Sequence, residues 1–143
     1  MKDQRHAAIV KCLMDDPNRA HLEAYFTAEL PESGTPRTFG IVTAHNPESM
    51  PAAGEDNDRA DAALEIALTT ANLPHFRVTG RSLDGSHQEP GYGIVAASPE
   101  AVRPLSRWFR QEAFFWVEDG TVFVINTDGK RRHPVGAWKD RLL

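Results

Sequence analysis

The residues able to do chemistry in this 143-residue chain stand where apolar runs give way to polar turns. Thr43, His45 and Asn46 follow the apolar run of Phe39, Ile41, Val42 and Ala44, Asn57 opens the most regular helical stretch, Glu89 lies between a turn-rich segment and an apolar run, and Gln111 precedes AFFWVE. A carboxyl beside an imidazole performs acid-base work when burial moves its pKa toward neutrality, so Glu89 and His45 are candidate general bases. Thr43, Asn46, Asn57, Glu89 and Gln111 are candidate ligand contacts, because hydroxyl, amide and carboxyl groups read hydrogen-bonding partners. The same groups also serve as caps and loop braces, a reading that applies to Asn57, Glu89 and Gln111. Open α/β sheets place ligands at the carboxyl ends of strands, where His45, Asn46 and Asn57 are expected to meet, with Glu89 facing the same pocket.

Other chemistries lack their context. Gly91-Tyr92-Gly93-Ile94-Val95-Ala96 spells a dinucleotide fingerprint, yet a polar loop precedes it and a strand follows where the fingerprint needs a strand and then a helix. These glycines are expected to shape a strand entrance. Six histidines occur without zinc or calcium spacing, and Ser49, Ser82 and Ser86 lie in loops without a nucleophile elbow. No metal and no cofactor is expected.

The elements that must position the candidates follow from periodicity. Ile9, Val10, Leu13 and Met14 give a short first helix over Lys2 to Met14, and Leu22, Ala24, Phe26, Ala28 and Leu30 alternate as a strand. A loop of hairpin length joins that strand to Thr38–Ala44, so the two are expected to pair antiparallel. Ala60, Ala63, Leu64, Ala67, Leu68 and Ala71 form one buried stripe of a helix over about Glu55 to Asn72, with Asp56, Asn57 and Asp58 as N-cap candidates. Phe76 and Val78 mark a short strand ended by Gly80. RSLDGSHQEPGYG then reads as a long polar loop, Ile94–Ala97 as a strand, and Ser98, Pro99 and Glu100 as the start of a third helix carrying Val102, Leu105 and Phe109. AFFWVE and TVFVIN flank Asp119-Gly120, the signature of a type I′ hairpin.

These elements define an α+β single domain over 1–143, with a core at about 20–127 and a C-terminal tail over 128–143 anchored by Trp138. Its sheet is expected to be mixed or largely antiparallel, in the order β-β-α-β-β-α-β-β after an N-terminal helix, with helices mainly on one face. Hydrophobic content of 41% and a formal net charge of -4 suit a soluble domain and argue against a broad basic nucleic-acid surface. The one basic run, Lys130 to Arg132, reads as a solvated tail. Cys12 is the sole cysteine and no stretch is apolar enough to cross a bilayer, which makes a cytoplasmic protein the expectation.

Tyr25 with Thr27, the run Thr43-Ala44-His45-Asn46-Pro47, Asn57, Gly80, Asp84, Glu89, and Gln111 with Ala113 occur in an order that resembles the bacterial family catalogued as domain of unknown function 3293. The resemblance spans roughly Tyr25 to Ile125. His45 and His87 stand where that family has an aromatic, often tryptophan, and Glu112 where it has asparagine. The resemblance therefore favours Asn46, Asn57, Glu89 and Gln111 over the histidines, and it implies a stand-alone bacterial domain without an established activity. The leading expectation is a ligand- or partner-binding domain whose polar loops, Asn46–Asn57 and Gly80–Glu89, form the site for a small molecule or a protein. One alternative is a hydrolase-like enzyme using Glu89 or His45 as general base. Another is a structural or oligomeric role in which the exposed strand of the first hairpin pairs between chains.

Overall fold

The alternating apolar runs become strands of one sheet in a computed structural model that describes residues 24–50, 52–129 and 131–143. The expected first helix and Cys12 lie outside those residues. In chain order the elements are β1 (Tyr25–Ala28), β2 (Thr38–Val42), α1 (Gly54–Thr70), β3 (His75–Arg81), β4 (Gln88–Val95), α2 (Arg103–Trp108), β5 (Ala113–Glu118), β6 (Thr121–Asn126), β7 (Arg132–Ala137) and α3 (Trp138–Arg141). The strands lie in the order β1-β3-β4-β2-β5-β6-β7, and every neighbouring pair is antiparallel.

Two cores sort the sheet's faces. On the outer face, Leu64 and Leu68 of α1, with Val102 preceding α2, pack on Val42, Tyr92, Ile94, Phe114, Trp116 and Ile125. The shallow alanine stripe of α1 lets that helix lie close to the strands. On the inner face, Phe26, Phe39, Ile41, Phe76, Val78, Val117, Val124 and Trp138 form a second core, because the sheet curls into a half-barrel and turns this face in on itself. Glycines permit the curl. A Cβ on Gly93 would run into the Phe76 ring, and one on Gly91 into the Val42 carbonyl, so both positions in β4 are kept bare by close approach of a neighbouring strand.

The expected α+β layering is therefore corrected. The sheet is a curled antiparallel half-barrel rather than an open layer with helices mainly on one face. Residues 128–143 do not trail away: β7 adds to β6, and α3 with its following residues reaches back to β1, so the order among the described residues is β-β-α-β-β-α-β-β-β-α. Phe26 forms a parallel bridge with Leu142, and Leu143 N donates to Phe26 O at 2.7 Å. Trp138 supplies the reason, since its ring is 5.4 Å from Phe26 and 5.2 Å from Phe39 and draws the C-terminus into the inner core. From the basic run, Arg131 and Arg132 are exposed, and Arg132 meets Glu118 at 3.5 Å and lies over the Phe123 ring.

β1 and β2 are not a hairpin either. β1 pairs with β3, while β2 inserts between β4 and β5. Every residue of β2 after Thr38 is buried, a pattern that belongs to a central strand covered on both faces. The hairpin around Asp119-Gly120 does form, with φ of 48° and 80° at the two turn residues, the positive pair that a type I′ turn requires.

Candidate functional site

The supposed long polar loop after Gly80 is instead a hairpin, and this relocates Glu89. β3 runs past Gly80 to Arg81, a tight turn follows, and β4 begins at Gln88, so Glu89 sits within a strand opposite Gly80. Asp84 Oδ1 holds the turn by accepting from the Ser82 and Ser86 hydroxyls, each at 2.8 Å, and from Ser86 N at 3.0 Å. The alternation of β4 sends Tyr92 and Ile94 to the helix-covered face and Glu89, Gly91 and Gly93 to the inner one. Glu89 thus reaches the open end of the curled sheet.

That end is a cavity of about 110 Å³ with mostly apolar walls from Phe26, Ile41, Phe115 and Val124. Thr43, Glu89, Gln111 and Glu112 are among its polar lining residues, with Arg81 and His87 on the turn side. Burial pushes the Glu89 carboxyl up to about 8, against a smaller opposite pull from the Thr43 hydroxyl, so Glu89 carries its proton at neutral pH. Thr43 Oγ1 donates to Pro90 O at 2.9 Å and accepts from His45 N at 3.1 Å. Gln111 spends both amide hydrogens on backbone, with Nε2 at 3.0 Å from His45 O and 3.2 Å from Phe109 O.

Three of the expected site residues lie apart from this cavity. Asn46 and Asn57 face each other: Asn57 Oδ1 accepts from Asn46 N at 2.8 Å, and Asn57 Nδ2 donates to Asn46 Oδ1 at 3.1 Å. Asn46 Oδ1 also accepts from Ala52 N at 3.0 Å, and Asn46 has φ of 48°, a left-handed conformation that asparagine tolerates. The pair clamps the connection between β2 and α1. Asn57 is not the N-cap, because α1 starts at Gly54 and Asn57 N already donates to Ala53 O. Asn57→Ala removes the amide contacts to Asn46 and is expected to cost about 1–3 kcal/mol of unfolding free energy in urea titration, with no change in binding at the Glu89 cavity.

His45 belongs to a different environment. Its imidazole is lowered by burial, opposed by Asp61 and Asp58. Nearby, Arg77 forks onto Asp61 at 2.8 and 3.0 Å and donates to the Tyr92 hydroxyl at 2.7 Å, while Tyr92 donates to Glu65 at 3.2 Å. This charge-assisted network pins α1 to β3 and β4 on the outer face. Sequence reasoning passed over it, although Asp61 and Glu65 are four apart on α1 and so share a face. It also passed over the cavity walls, whose signal was the unbroken apolar runs in AFFWVE and TVFVIN, which put apolar side chains on both faces of the hairpin.

No helix among the described residues is long and apolar enough to cross a membrane. The family described as "Protein of unknown function (DUF3293)" matches residues 42–114, a little more than half of the chain, from the end of β2 into β5. That span contains Thr43, Asn46, Asn57, Glu89 and Gln111. No curated protein and no solved structure matches the chain.

Proposed function

We infer that this chain, which belongs to the DUF3293 family, is a small-molecule-binding domain whose chamber is the open end of the curled sheet. The observation that carries the reading is Glu89, a carboxyl raised to about 8 inside a cavity with mostly apolar walls. A carboxyl confined in such a place costs folding free energy, which sets it apart from a structural brace. Thr43 and Gln111 flank it as contacts, while Asn46 and Asn57 brace the connection between β2 and α1 and take no part in binding. The lone cysteine supports a reducing cytoplasmic setting.

The size suits a compact ligand, since an engineered apolar cavity of about 150 Å³ in another protein accepts benzene. Gly80 provides the means of testing it. A Cβ there would come no nearer than 3.9 Å to Phe26 and 4.0 Å to Glu89 O, so Gly80→Val fits the backbone while filling the chamber. Saturation-transfer NMR with neutral, cationic and anionic fragments of about five to eight non-hydrogen atoms is expected to detect binders to the wild type that Gly80→Val loses. Absence of any binder, or equal binding to a folded Gly80→Val, overturns the reading.

The raised carboxyl also favours a second reading, in which Glu89 is a general acid-base group of an enzyme acting in this cavity. Turnover of any bound fragment that Glu89→Gln abolishes while binding persists would decide for it.

A further inference from the structure

The geometry points to an alkylammonium compound, a short apolar body ending in a protonated amine, as the ligand of the cavity, with the amine seated between Glu89, Gln111 and Thr43. This deepens the binding reading above and rests on it.

The argument is one of hydrogen-bond capacity. The Thr43 hydroxyl sits against Pro90 O at 2.9 Å and against the Glu89 carboxyl, so its proton is taken up by those acceptors and what it offers a ligand is oxygen. Both Gln111 amide hydrogens go to the carbonyls of His45 and Phe109, which leaves Oε1 as the atom with which that side chain receives a ligand. Glu112 and Glu89 add carboxyl oxygens at the same end. The cation on the lining is engaged elsewhere: Arg81 Nε donates to Ser82 O at 3.1 Å and Nη2 to Leu83 O at 3.2 Å, both in the turn. Polar groups that accept, at the end of an apolar chamber, complement a compact head of three N–H donors on a hydrocarbon body. A carboxylate ligand would instead find acceptor oxygens where it needs donors.

The charged and titratable groups around Glu89 come from several elements: Tyr25 on β1, Arg81 on β3, His87 in the turn and Glu112 before β5. An ammonium favours the ionised carboxyl, so binding releases the proton that Glu89 holds at neutral pH. With the free carboxyl near 8, the dissociation constant is expected to tighten about 50-fold between pH 6 and pH 8.

The experiment is a ¹H–¹⁵N correlation titration of the full chain with n-butylammonium, n-butanol and n-butyrate at pH 6, 7 and 8. Butylammonium is expected to move the amide signals of Thr43, Glu89 and Gln111, to tighten with pH as stated, and to bind at least about tenfold more tightly than the two isosteres at pH 8. In Glu89→Gln both the preference and the pH slope should vanish, whereas His87→Gln should keep them. Butanol binding in the cavity as well as butylammonium does overturns the ligand class and leaves the binding reading standing. A pH slope that follows His87, or no shift with butylammonium, also overturns the ligand class; the neutral fragments and Gly80→Val then decide the binding reading separately.

Discussion

Glu89→Gln is expected to stabilise the protein by about 4 kcal/mol at pH 8 and to change little at pH 4. The unfolded carboxyl titrates at its ordinary 4.5, whereas the folded one titrates near 8 because burial disfavours its charge. Between these values the folded state keeps a proton that the unfolded state has lost, so the folded state binds more protons and stability falls as pH rises. The loss begins near 4.5, grows through neutrality and is complete above 8. Glutamine has the shape of the protonated acid and does not titrate, so the variant lacks this slope. Urea unfolding of both proteins at pH 4, 6 and 8 measures it. Parallel stability curves, or a variant weaker than wild type at pH 8, would show that the carboxyl is not held in a desolvated site. A confirmed gain would mean that the chain keeps a group that weakens its fold, the behaviour expected of a working residue.

Trp138→Ala should cost about 3–5 kcal/mol, because it empties a 4% exposed position that touches Phe26 and Phe39 and holds the C-terminus on the half-barrel. Backbone anchoring compounds the loss: Trp138 N donates to Gly120 O at 2.8 Å, and Leu142 N to Trp138 O at 2.9 Å. Trp138→Phe is expected to behave differently, with a change below about 1.5 kcal/mol. Indole Nε1 is buried and has no hydrogen-bond partner among the described residues, so phenylalanine removes an unsatisfied donor while retaining most of the ring. Thermal unfolding of both variants checks the pair. Equal losses would mean that the indole nitrogen has a partner that matters, and a small loss for alanine would mean that the C-terminus is not closing the sheet.

Local pattern made several elements legible. The stripe of Ala60, Ala63, Leu64, Ala67, Leu68 and Ala71 marked α1, although only Leu64 and Leu68 are buried, Ala60 and Ala67 are half-buried, and Ala63 and Ala71 face solvent. Asp119-Gly120 marked the β5–β6 hairpin, since positive φ at successive residues selects few residue types. The DUF3293 resemblance rested on side chains that recur in fixed order, and the family match bears it out. The bracing alternative for Asn57 and Gln111 agrees with their hydrogen bonds, because an amide near a strand end or a helix start satisfies backbone groups wherever the chain turns.

Pairing and curvature were not legible in the same way. Serine, aspartate, glycine and histidine after Gly80 looked like a long loop because composition cannot distinguish a tight turn between two polar-tipped strands from an open excursion. β2 took its place between β4 and β5 by long-range hydrogen bonds, and Gly91 and Gly93 acquired their meaning only when Val42 and Phe76 closed on them. Local pattern thus reached a helix, a type I′ hairpin and a family, while Asn46, Asn57, Glu89 and Gln111 entered as candidates of equal standing. The folded chain adds that Asn46 and Asn57 hold each other, that His45 lies with Asp61 on the outer face, and that Glu89 ends in an apolar chamber whose burial keeps it protonated. Propensity and periodicity act over neighbours in the chain, whereas desolvation and strand order depend on which distant residues the curled sheet brings together.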